Sequence, residues 1–273
     1  MIDLMASAFG AIIRLIYNSV GQNYGLSIIL FTVLTKLVLF PINYKQAKMM
    51  KGMKDLAPLE KEIREKYKGN KDKQAEELAK VYQEHRVNPM TGCLSILIQF
   101  PIIIAMFAIV RQPLTYIIQI PDDQIIQYAQ EVLQKEEVSQ KEARNTEIQI
   151  ASEKGLIDMK FLGIDFGATP SNAFNKDLSV RPSKWTILVP ILSILIQVLQ
   201  MIISQKESNL TEEQKQQQKS MNIMFPFLSG FIAYTMPLAL GIYWLLGGVL
   251  GIISQLLTKM LLDRQKIMIS GEK

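Results

Sequence analysis

Residues 26–41 read LSIILFTVLTKLVLFP, an apolar run interrupted by a single charge, Lys36. The run and its immediate flanks are long enough to cross a bilayer as a helix. A lone ammonium at membrane depth costs roughly 2.5–3.5 kcal/mol on insertion scales. No Asp or Glu lies inside any other apolar run of the chain. Lys36 therefore either reaches water or awaits a partner from outside the chain, which makes it a candidate functional residue.

Four further apolar runs cover residues 93–110, 186–204, 221–235 and 237–260 of the 273-residue chain. Each is near the roughly 17–25 residues that a spanning helix needs, although 221–235 is short. The runs do not alternate polar and apolar residues, so spanning helices are favoured over a β-barrel. The sequence therefore predicts an all-α polytopic membrane protein with five transmembrane helices.

Basic and acidic residues are distributed unevenly between the two long polar segments. Residues 43–89 contain 12 basic and 8 acidic residues, a net charge of +4, whereas residues 112–185 contain 8 basic and 11 acidic residues, a net charge of −3. Since Lys and Arg are enriched in cytoplasmic loops, the first segment is predicted to be cytoplasmic and the second external. Five spans then place the N-terminus outside and the basic C-terminal tail in the cytoplasm.

The predicted segments follow from these runs and charges. They are an external amphipathic helix at 1–22, span one at 23–42, a cytoplasmic charged helical hairpin at 43–89, span two at 90–111, an external loop at 112–185, span three at 186–204, a cytoplasmic loop at 205–220, span four at 221–235, span five at 237–260 and a cytoplasmic basic tail at 261–273. An uncleaved targeting segment is the alternative for residues 1–22. In the external loop, Asp122 or Asp123 is predicted to cap one amphipathic helix that runs to about Lys154 and ends at Gly155.

Polar side chains at helical spacing give several predicted spans one polar face. They are Thr32, Thr35 and Lys36 in span one, Ser95 and Gln99 in span two, Ser193, Gln197 and Gln200 in span three, and Tyr243 and Trp244, above Gly247, Gly248 and Gly251, in span five. Such groups commonly form hydrogen bonds between membrane helices, and Lys36 could instead extend toward the cytoplasmic face. Because the charge has no internal partner, the shared polar faces favour a water-accessible hydrophilic groove among the spans.

The charged hairpin carries apolar side chains that could contact a partner. Met49, Met50 and Met53 follow span one, and Leu59 and Ile63 form a thin stripe farther along. Thioethers adapt to varied apolar surfaces, so these residues are a candidate contact surface. Anchoring at the membrane interface, or packing within the hairpin, is the alternative.

The reactive residues of the chain argue against enzymatic chemistry. The one histidine, His85, lies in the charged hairpin, and the one cysteine, Cys93, cannot form an internal disulfide or a multi-cysteine metal site. The chain has no Gly-Lys-Ser/Thr phosphate loop, and the spans contain no acid for a proton relay. We therefore expect neither an enzyme nor a bound metal or cofactor.

Three stretches resemble the YidC-type membrane protein insertases, a family with relatives in mitochondria and chloroplasts. They are residues 24–41, residues 87–101, which read VNPMTGCLSILIQFP, and residues 242–255, which end in IISQ. The Asn-Pro, Gly-Cys and Gln-x-Pro elements of the second stretch are the most specific. The groove charge of the family is usually Arg, and Lys36 occupies that position. The lack of a large external domain ahead of span one resembles the shorter form found in Gram-positive-type bacteria.

The resemblance implies a five-span core around a hydrophilic groove that is open to the cytoplasm and to lipid. There, Lys36 would attract the acidic segment of a nascent membrane protein with one or two spans, whose hydrophobic segment then leaves into the bilayer. The resemblance also implies a bacterial cell membrane location, the ribosome, the Sec translocon and the lipid bilayer as partners, and activity as a monomer. An assembly scaffold beside the Sec translocon, without insertion activity of its own, is the alternative. A small-molecule transporter is disfavoured, since the spans show no repeat and no acid.

Overall fold

The computed structural model describes residues 2–88, 91–175, 182–206 and 212–271, and all side chains in those ranges except residues 2, 54, 91–96, 205–206, 212–223 and 265–271. The described chain is mostly helical. Its elements in order are α1 (Ile2–Ser19), α2 (Tyr24–Lys66), α3 (Lys71–Glu84), α4 (Thr91–Arg111), a π-helix (Leu114–Ile118), α5 (Asp122–Leu133), α6 (Gln140–Asn145), α7 (Glu147–Glu153), the strands β1 (Lys160–Phe161) and β2 (Ile164–Asp165), two 3₁₀ helices (Pro170–Phe174 and Lys184–Ile187), α8 (Leu188–Lys206), α9 (Glu212–Thr235) and α10 (Leu238–Gly271).

Three helical stretches in the described part of the chain are long and apolar enough to cross a membrane. They are Tyr24–Met53 in α2, Lys184–Ser204 around α8 and Leu238–Arg264 in α10. Two shorter apolar helices, Leu97–Arg111 and Met224–Thr235, coincide with predicted spans two and four. The structure thus agrees with an all-α membrane protein, whereas the number of five spans stays a prediction.

The first predicted span and the first arm of the charged helical hairpin form one continuous helix, α2. The Asn23 side chain begins it by accepting a hydrogen bond of 2.8 Å from the backbone N–H of Leu26, which satisfies one of the free donors of a helix start. Gly69, with φ of +98°, makes the turn that follows. Asn70 then caps α3 by accepting from the Lys73 N–H at 3.0 Å. The helix of predicted span one therefore continues without a break into the first arm of the hairpin.

A small apolar core holds the two arms of the hairpin together. Its buried members are Leu56 and Ile63 from α2 and Leu78 and Val81 from α3. Leu59 is partly buried against this core. The hairpin stripe therefore serves mainly to pack α3 against the end of α2.

The prediction of one helix from Asp122 to Lys154 is wrong, because this region folds into α5, α6 and α7. Gln134 takes a left-handed conformation (φ +54°) and ends α5, and Ser139 caps α6. The N-cap of α5 is Pro121, and neither of the two aspartates that follow it forms a side-chain cap. A straight helix would leave its narrow apolar stripe in water, whereas folding back buries that stripe; the buried side chains include Ile125, Ala129, Val138, Ala143 and Ile150. The expected stop at Gly155 is confirmed, with φ of +63°.

The β-hairpin formed by β1 and β2 packs against the start of α2. A Cβ atom at Gly25 would lie 2.8 Å from the Cβ of Phe161 and 3.0 Å from the ring of Phe166. Since real Cβ contacts are not that short, glycine is required for this close approach. The hairpin and α2 are also joined by a bridge between Asn23 and Asp158. The start of α2 is therefore fixed to the segment that contains the β-hairpin.

Two contacts show that α2 and α10 run in the same direction. Lys36 of α2 lies against Gly247 of α10, and fifteen residues farther along α2, Lys51 forms an ion pair of 3.1 Å with Asp263. Residue numbers therefore increase together along both helices. If both helices span the membrane, their shared direction requires an odd number of crossings between them in the sequence.

Candidate functional site

Lys36 lies at the contact between α2 and α10. Its Cε lies 3.3 Å, and its Nζ 3.7 Å, from the position that a Cβ atom would occupy at Gly247. The side chain is partly exposed. Among the residues that the structure describes, Lys36 forms no ion pair and no hydrogen bond. The missing side chain at Gly247 provides the space that the ammonium occupies.

The polar face of α8 packs on the same side of α10. A Cβ atom at Gly248 would lie 3.6 Å from Nε2 of Gln197, and one at Gly251 would lie 2.9 Å from Nε2 of Gln200. Because 197 pairs with 248 and 200 with 251, α8 also runs parallel to α10. Farther along, Nε2 of Gln255 donates to the hydroxyl of Ser204 at 3.1 Å.

We call the contact of Lys36, Gln197 and Gln200 with Gly247, Gly248 and Gly251 of α10 the polar seam. Gly251 lies one turn beyond both Gly247 and Gly248, four and three residues away, so it adjoins each of them on the surface of α10. Small residues at such spacing let membrane helices and their polar side chains approach closely. The sequence showed these glycines but gave no reason to assign them a role. Their spacing, read as a packing signal, could have placed span three and Lys36 against span five.

Gln99 and Tyr243 bring α4 to the same region. The Gln99 amide donates to the Tyr243 hydroxyl at 3.3 Å, and Tyr243 is buried. Trp244 faces α9 instead, where its ring centroid lies 6.4 Å from that of Phe225. The structure thus brings Tyr243, but not Trp244, to a polar partner on another predicted span.

The remaining predicted groove residues are placed differently. The hydroxyl of Thr32 donates to the carbonyl of Ile28 at 2.6 Å, and that of Thr35 donates to the carbonyl of Phe31 at 2.8 Å. Ser193 is buried, and its hydroxyl has no hydrogen-bond partner in the described part of the chain. These hydroxyls contribute polarity beside the seam, but the two threonines already use their protons within α2. The side chain of Ser95 lies outside the described residues.

The hairpin candidates divide into exposed and buried groups. Met49 and Met50 are exposed, and Met53 is partly exposed. Ile63 is buried in the hairpin core, and Leu59 packs against that core. The methionines are therefore free to contact a partner, whereas Ile63 contributes to folding of the hairpin.

The side chains of the polar seam are suited to bind polar groups. Lys36 is the only charged side chain within the apolar parts of the described helices α2, α4, α8 and α9, and the two glutamines add amide donors and acceptors. Among the described residues no group of His, Cys, Asp and Glu is arranged to hold a metal ion. A single ammonium beside amides is suited to bind a carboxylate.

Comparison with known proteins points to one family. Residues 15–265 match the family model described as 60Kd inner membrane protein. Over 264 residues, the chain is 29% identical to the membrane protein insertase YidC of Chlamydia muridarum, covering 94% of this chain and 28% of that protein. It is 30% identical to the protein of that name from Pelodictyon phaeoclathratiforme, covering 87% of this chain and 33% of the relative. It is also 29% identical to the one from Fusobacterium nucleatum, covering 85% of this chain and 84% of the relative.

The chain therefore spans 28% and 33% of the length of two of these curated relatives and most of the third. The similarity covers α2, α4, α8, α9 and most of α10, and so includes the polar seam.

Proposed function

The chain belongs to the 60Kd inner membrane protein family, and on that premise we propose that it is a membrane protein insertase of the bacterial cell membrane. The observation that carries the proposal is the position of Lys36. This charge lies inside an apolar helix, without an ion pair among the described residues, and packs on α10 at a glycine next to those that contact the amides of α8. Such a charge is best explained if its partner is a carboxylate on a client protein.

The first step is capture of a polar client segment. An acidic residue about 4 Å from Lys36 would gain on the order of 4 kcal/mol of Coulomb energy at an effective dielectric constant near 20, before desolvation is subtracted. This gain is comparable to the roughly 2.5–3.5 kcal/mol that a charge costs at the centre of a membrane. Lys36 therefore lowers the barrier for bringing an acidic tail into the bilayer.

Gln197 and Gln200 supply the second part of the site. Their amides pack directly on Gly248 and Gly251, so a client backbone must displace them from α10. Because amides both donate and accept, the displaced side chains can form hydrogen bonds with the client and replace water around its polar groups. The seam then acts as a hydrophilic groove while a client occupies it.

Release of the hydrophobic client segment is driven by lipid. Leu34, Leu37 and Val38, on α2 close to Lys36, are exposed apolar side chains, so an apolar segment can leave along this face. A client helix gains free energy for each apolar residue that enters the hydrocarbon region. The step needs no nucleotide, and the charge of Lys36 remains in the protein.

We further propose the five-span topology, with the N-terminus outside and the groove open to the cytoplasm. The parallel directions of α2, α8 and α10 support it, because α4 and α9 then provide the two return crossings. The excess of basic residues in 43–89 supports a cytoplasmic hairpin. The exposed Met49 and Met50 at its base are suited to receive apolar client segments before they reach the seam.

We propose that the clients are proteins with one or two spans, because the polar seam offers them a single charge. They would emerge from the ribosome, either alone or beside the Sec translocon. We propose that one copy of the chain suffices, because Lys36 and the glutamines come from the same chain. The scaffold alternative has no particular observation in its favour, and the following experiment separates it from insertion.

The test uses purified full-length protein in Sec-free liposomes and a single-span client with an acidic N-terminal tail, with insertion measured by protease protection. Lys36→Gln is expected to lower the initial insertion rate about tenfold, the equivalent of one charge-assisted hydrogen bond. Lys61→Gln, which removes an exposed charge from the same helix, is the matched control and should change the rate by less than about twofold.

A second client, with its tail acids replaced by amides, completes a double-mutant cycle. Lys36→Gln should slow this neutral client far less than the acidic one. Equal slowing of both clients would show that Lys36 does not act by charge pairing. Unchanged insertion of the acidic client by the Lys36→Gln protein would favour the scaffold.

A further inference from the structure

Helix α1 has apolar side chains on two opposite faces. Ala6, Ile13 and Tyr17 are buried against the rest of the protein, where α1 packs on α2, α4 and the π-helix. On the other side, Leu4 and Leu15 are 74% and 70% exposed. A helix with one face on protein and a second apolar face uncovered is typical of a helix embedded in the surface of a membrane. α1 therefore lies where lipid headgroups are within reach.

The narrow polar edge of α1 separates these two faces and carries Asp3, Arg14 and Asn18. Asp3 accepts a hydrogen bond of 3.2 Å from the hydroxyl of Tyr116. Arg14 is partly buried, and within the described part of the chain it has no ion pair and no hydrogen bond. A guanidinium without a partner beside an uncovered apolar face is available for an anion.

Arg14 borders a cavity of about 380 Å³ between the end of α1 and the π-helix. Polar side chains form one wall, and apolar side chains form the other. The polar wall consists of Arg14, Tyr17, Asn18 and Gln22, and the apolar wall of Ile117, Ile118 and Leu156. The cavity is within the size range of small-molecule sites, and its walls match a ligand with one anionic and one apolar part.

The polar wall is rich in hydrogen-bond donors. Burial, and then the nearby Asp158 carboxylate, raise the pKa of Tyr17, so its hydroxyl keeps its proton and can donate. Gln22, which also lines the cavity, adopts a left-handed conformation (φ +60°), which is uncommon for a residue other than glycine. Asp158 opposes an anion on the Tyr17 side, so the favourable position for a phosphate is at Arg14, Asn18 and Gln22.

We propose that this cavity binds the phosphate of an anionic phospholipid, with Arg14 as its principal ligand. The planar guanidinium can donate two parallel hydrogen bonds to phosphate oxygens. The glycerol part of the lipid would then face Ile117 and Ile118, and its acyl chains would lie along the exposed face that includes Leu15. The proposal rests on the interfacial position of α1 and not on insertase activity.

The test measures lipid binding to the purified full-length protein by native mass spectrometry during titration with phosphatidylglycerol. Arg14→Gln should raise the lipid concentration for half-saturation of the first bound lipid about tenfold, as expected for loss of a hydrogen-bonded charge. Asn18→Ala should shift it in the same direction by a smaller factor. Lys160→Gln removes an exposed charge from the same external region and should leave the titration unchanged.

Two further arms identify the bound group and its source. Diacylglycerol with the same acyl chains should bind without any dependence on Arg14, since it lacks the phosphate. Inorganic phosphate in excess should not displace the lipid. Equal binding of phosphatidylglycerol by the wild-type and Arg14→Gln proteins, an equal loss in Lys160→Gln, or displacement by inorganic phosphate would overturn the proposal.

Discussion

The side chain of Lys36 packs directly against Gly247. The ammonium occupies space that a side chain at position 247 would fill, since its Nζ lies 3.7 Å from the position of a Cβ atom at Gly247. The charge is thereby held on the face of α10 that also carries the two glutamines. The size of residue 247 should therefore control the function of Lys36 without any change in charge.

A series at position 247 tests this relation. Gly247→Ala should be tolerated, because its Cβ would lie 3.3 Å from a flexible methylene of Lys36. Gly247→Leu should expel the Lys36 side chain and lower insertion of the acidic client about tenfold, as loss of the charge pair does. Insertion of the client with a neutral tail is the control. If the leucine variant inserts the acidic client normally, Lys36 does not act from the seam.

At the residue scale, sequence reasoning could identify the polar positions but not their partners. The isolated charge of Lys36 was visible because an ammonium in an apolar run is costly wherever the run folds. The spacing of Thr32 and Thr35 predicted that they share the polar face of Lys36, but each hydroxyl donates to a carbonyl of its own helix. A hydroxyl in a helix can bond either the preceding turn or a neighbour, and only the packing decides between them.

At the scale of elements, the long apolar helices could be predicted from the length of their hydrophobic runs, whereas the fold of the insert at residues 122–154 could not. Buried Val138, Ala143 and Ile150 lie in the segment that folds back after α5. Their spacing in sequence is compatible with one helix or several, and the choice depends on tertiary burial. No glycine or proline lies near the break at Gln134, so the sequence lacked the usual local signal for a helix end.

The insert that comprises α5, α6 and α7 also contains an acid whose protonation should affect its stability. Glu147 is fully buried, and its carboxylate accepts from the backbone N–H of Thr115 at 2.9 Å and from the Thr115 hydroxyl at 2.5 Å. Burial raises the pKa of Glu147 to about 7, although the hydrogen bonds from Thr115 and the charge of Arg144 oppose that shift. α7 is thereby attached to the π-helix through a group that titrates near neutrality.

We expect stability to fall as pH rises through this range. The folded state holds a proton on Glu147 up to a pH of about 7, whereas the unfolded state loses it near its ordinary pKa of about 4.3, so proton binding favours the fold at low pH. Thermal unfolding in detergent should show a higher melting temperature at about pH 5 than at about pH 8, with up to about 3 kcal/mol attributable to Glu147. Glu147→Gln should remove this part of the pH dependence, and Glu137→Gln, at an exposed position, should not. The same pH profile in the wild-type and Glu147→Gln proteins would contradict the assignment.

At the scale of the whole molecule, three parallel helices, α2, α8 and α10, meet at the polar seam. α2 and α8 each lie against α10 in the same direction, and the seam runs along the glycine face between them. The charge distribution of the sequence predicted which segments face the cytoplasm, since the positive-inside rule acts on composition alone. The register that places Lys36 and the glutamines on adjacent positions of α10 depends on packing among distant segments, and composition carries no information about it.

The central claim is that Lys36 reaches water from the cytoplasmic side while its neighbours on α2 face lipid. Single cysteines at positions 36 and 37 in a Cys93→Ser background, labelled with a membrane-impermeant thiol reagent, test this claim most directly. Leu37 is the matched control, because it is 66% exposed in the structure and yet belongs to the apolar face. We predict that Lys36→Cys is labelled from the cytoplasmic side and not from outside, and that Leu37→Cys is labelled from neither side. Failure to label position 36 from the cytoplasm, or equal labelling of both positions, would contradict the account.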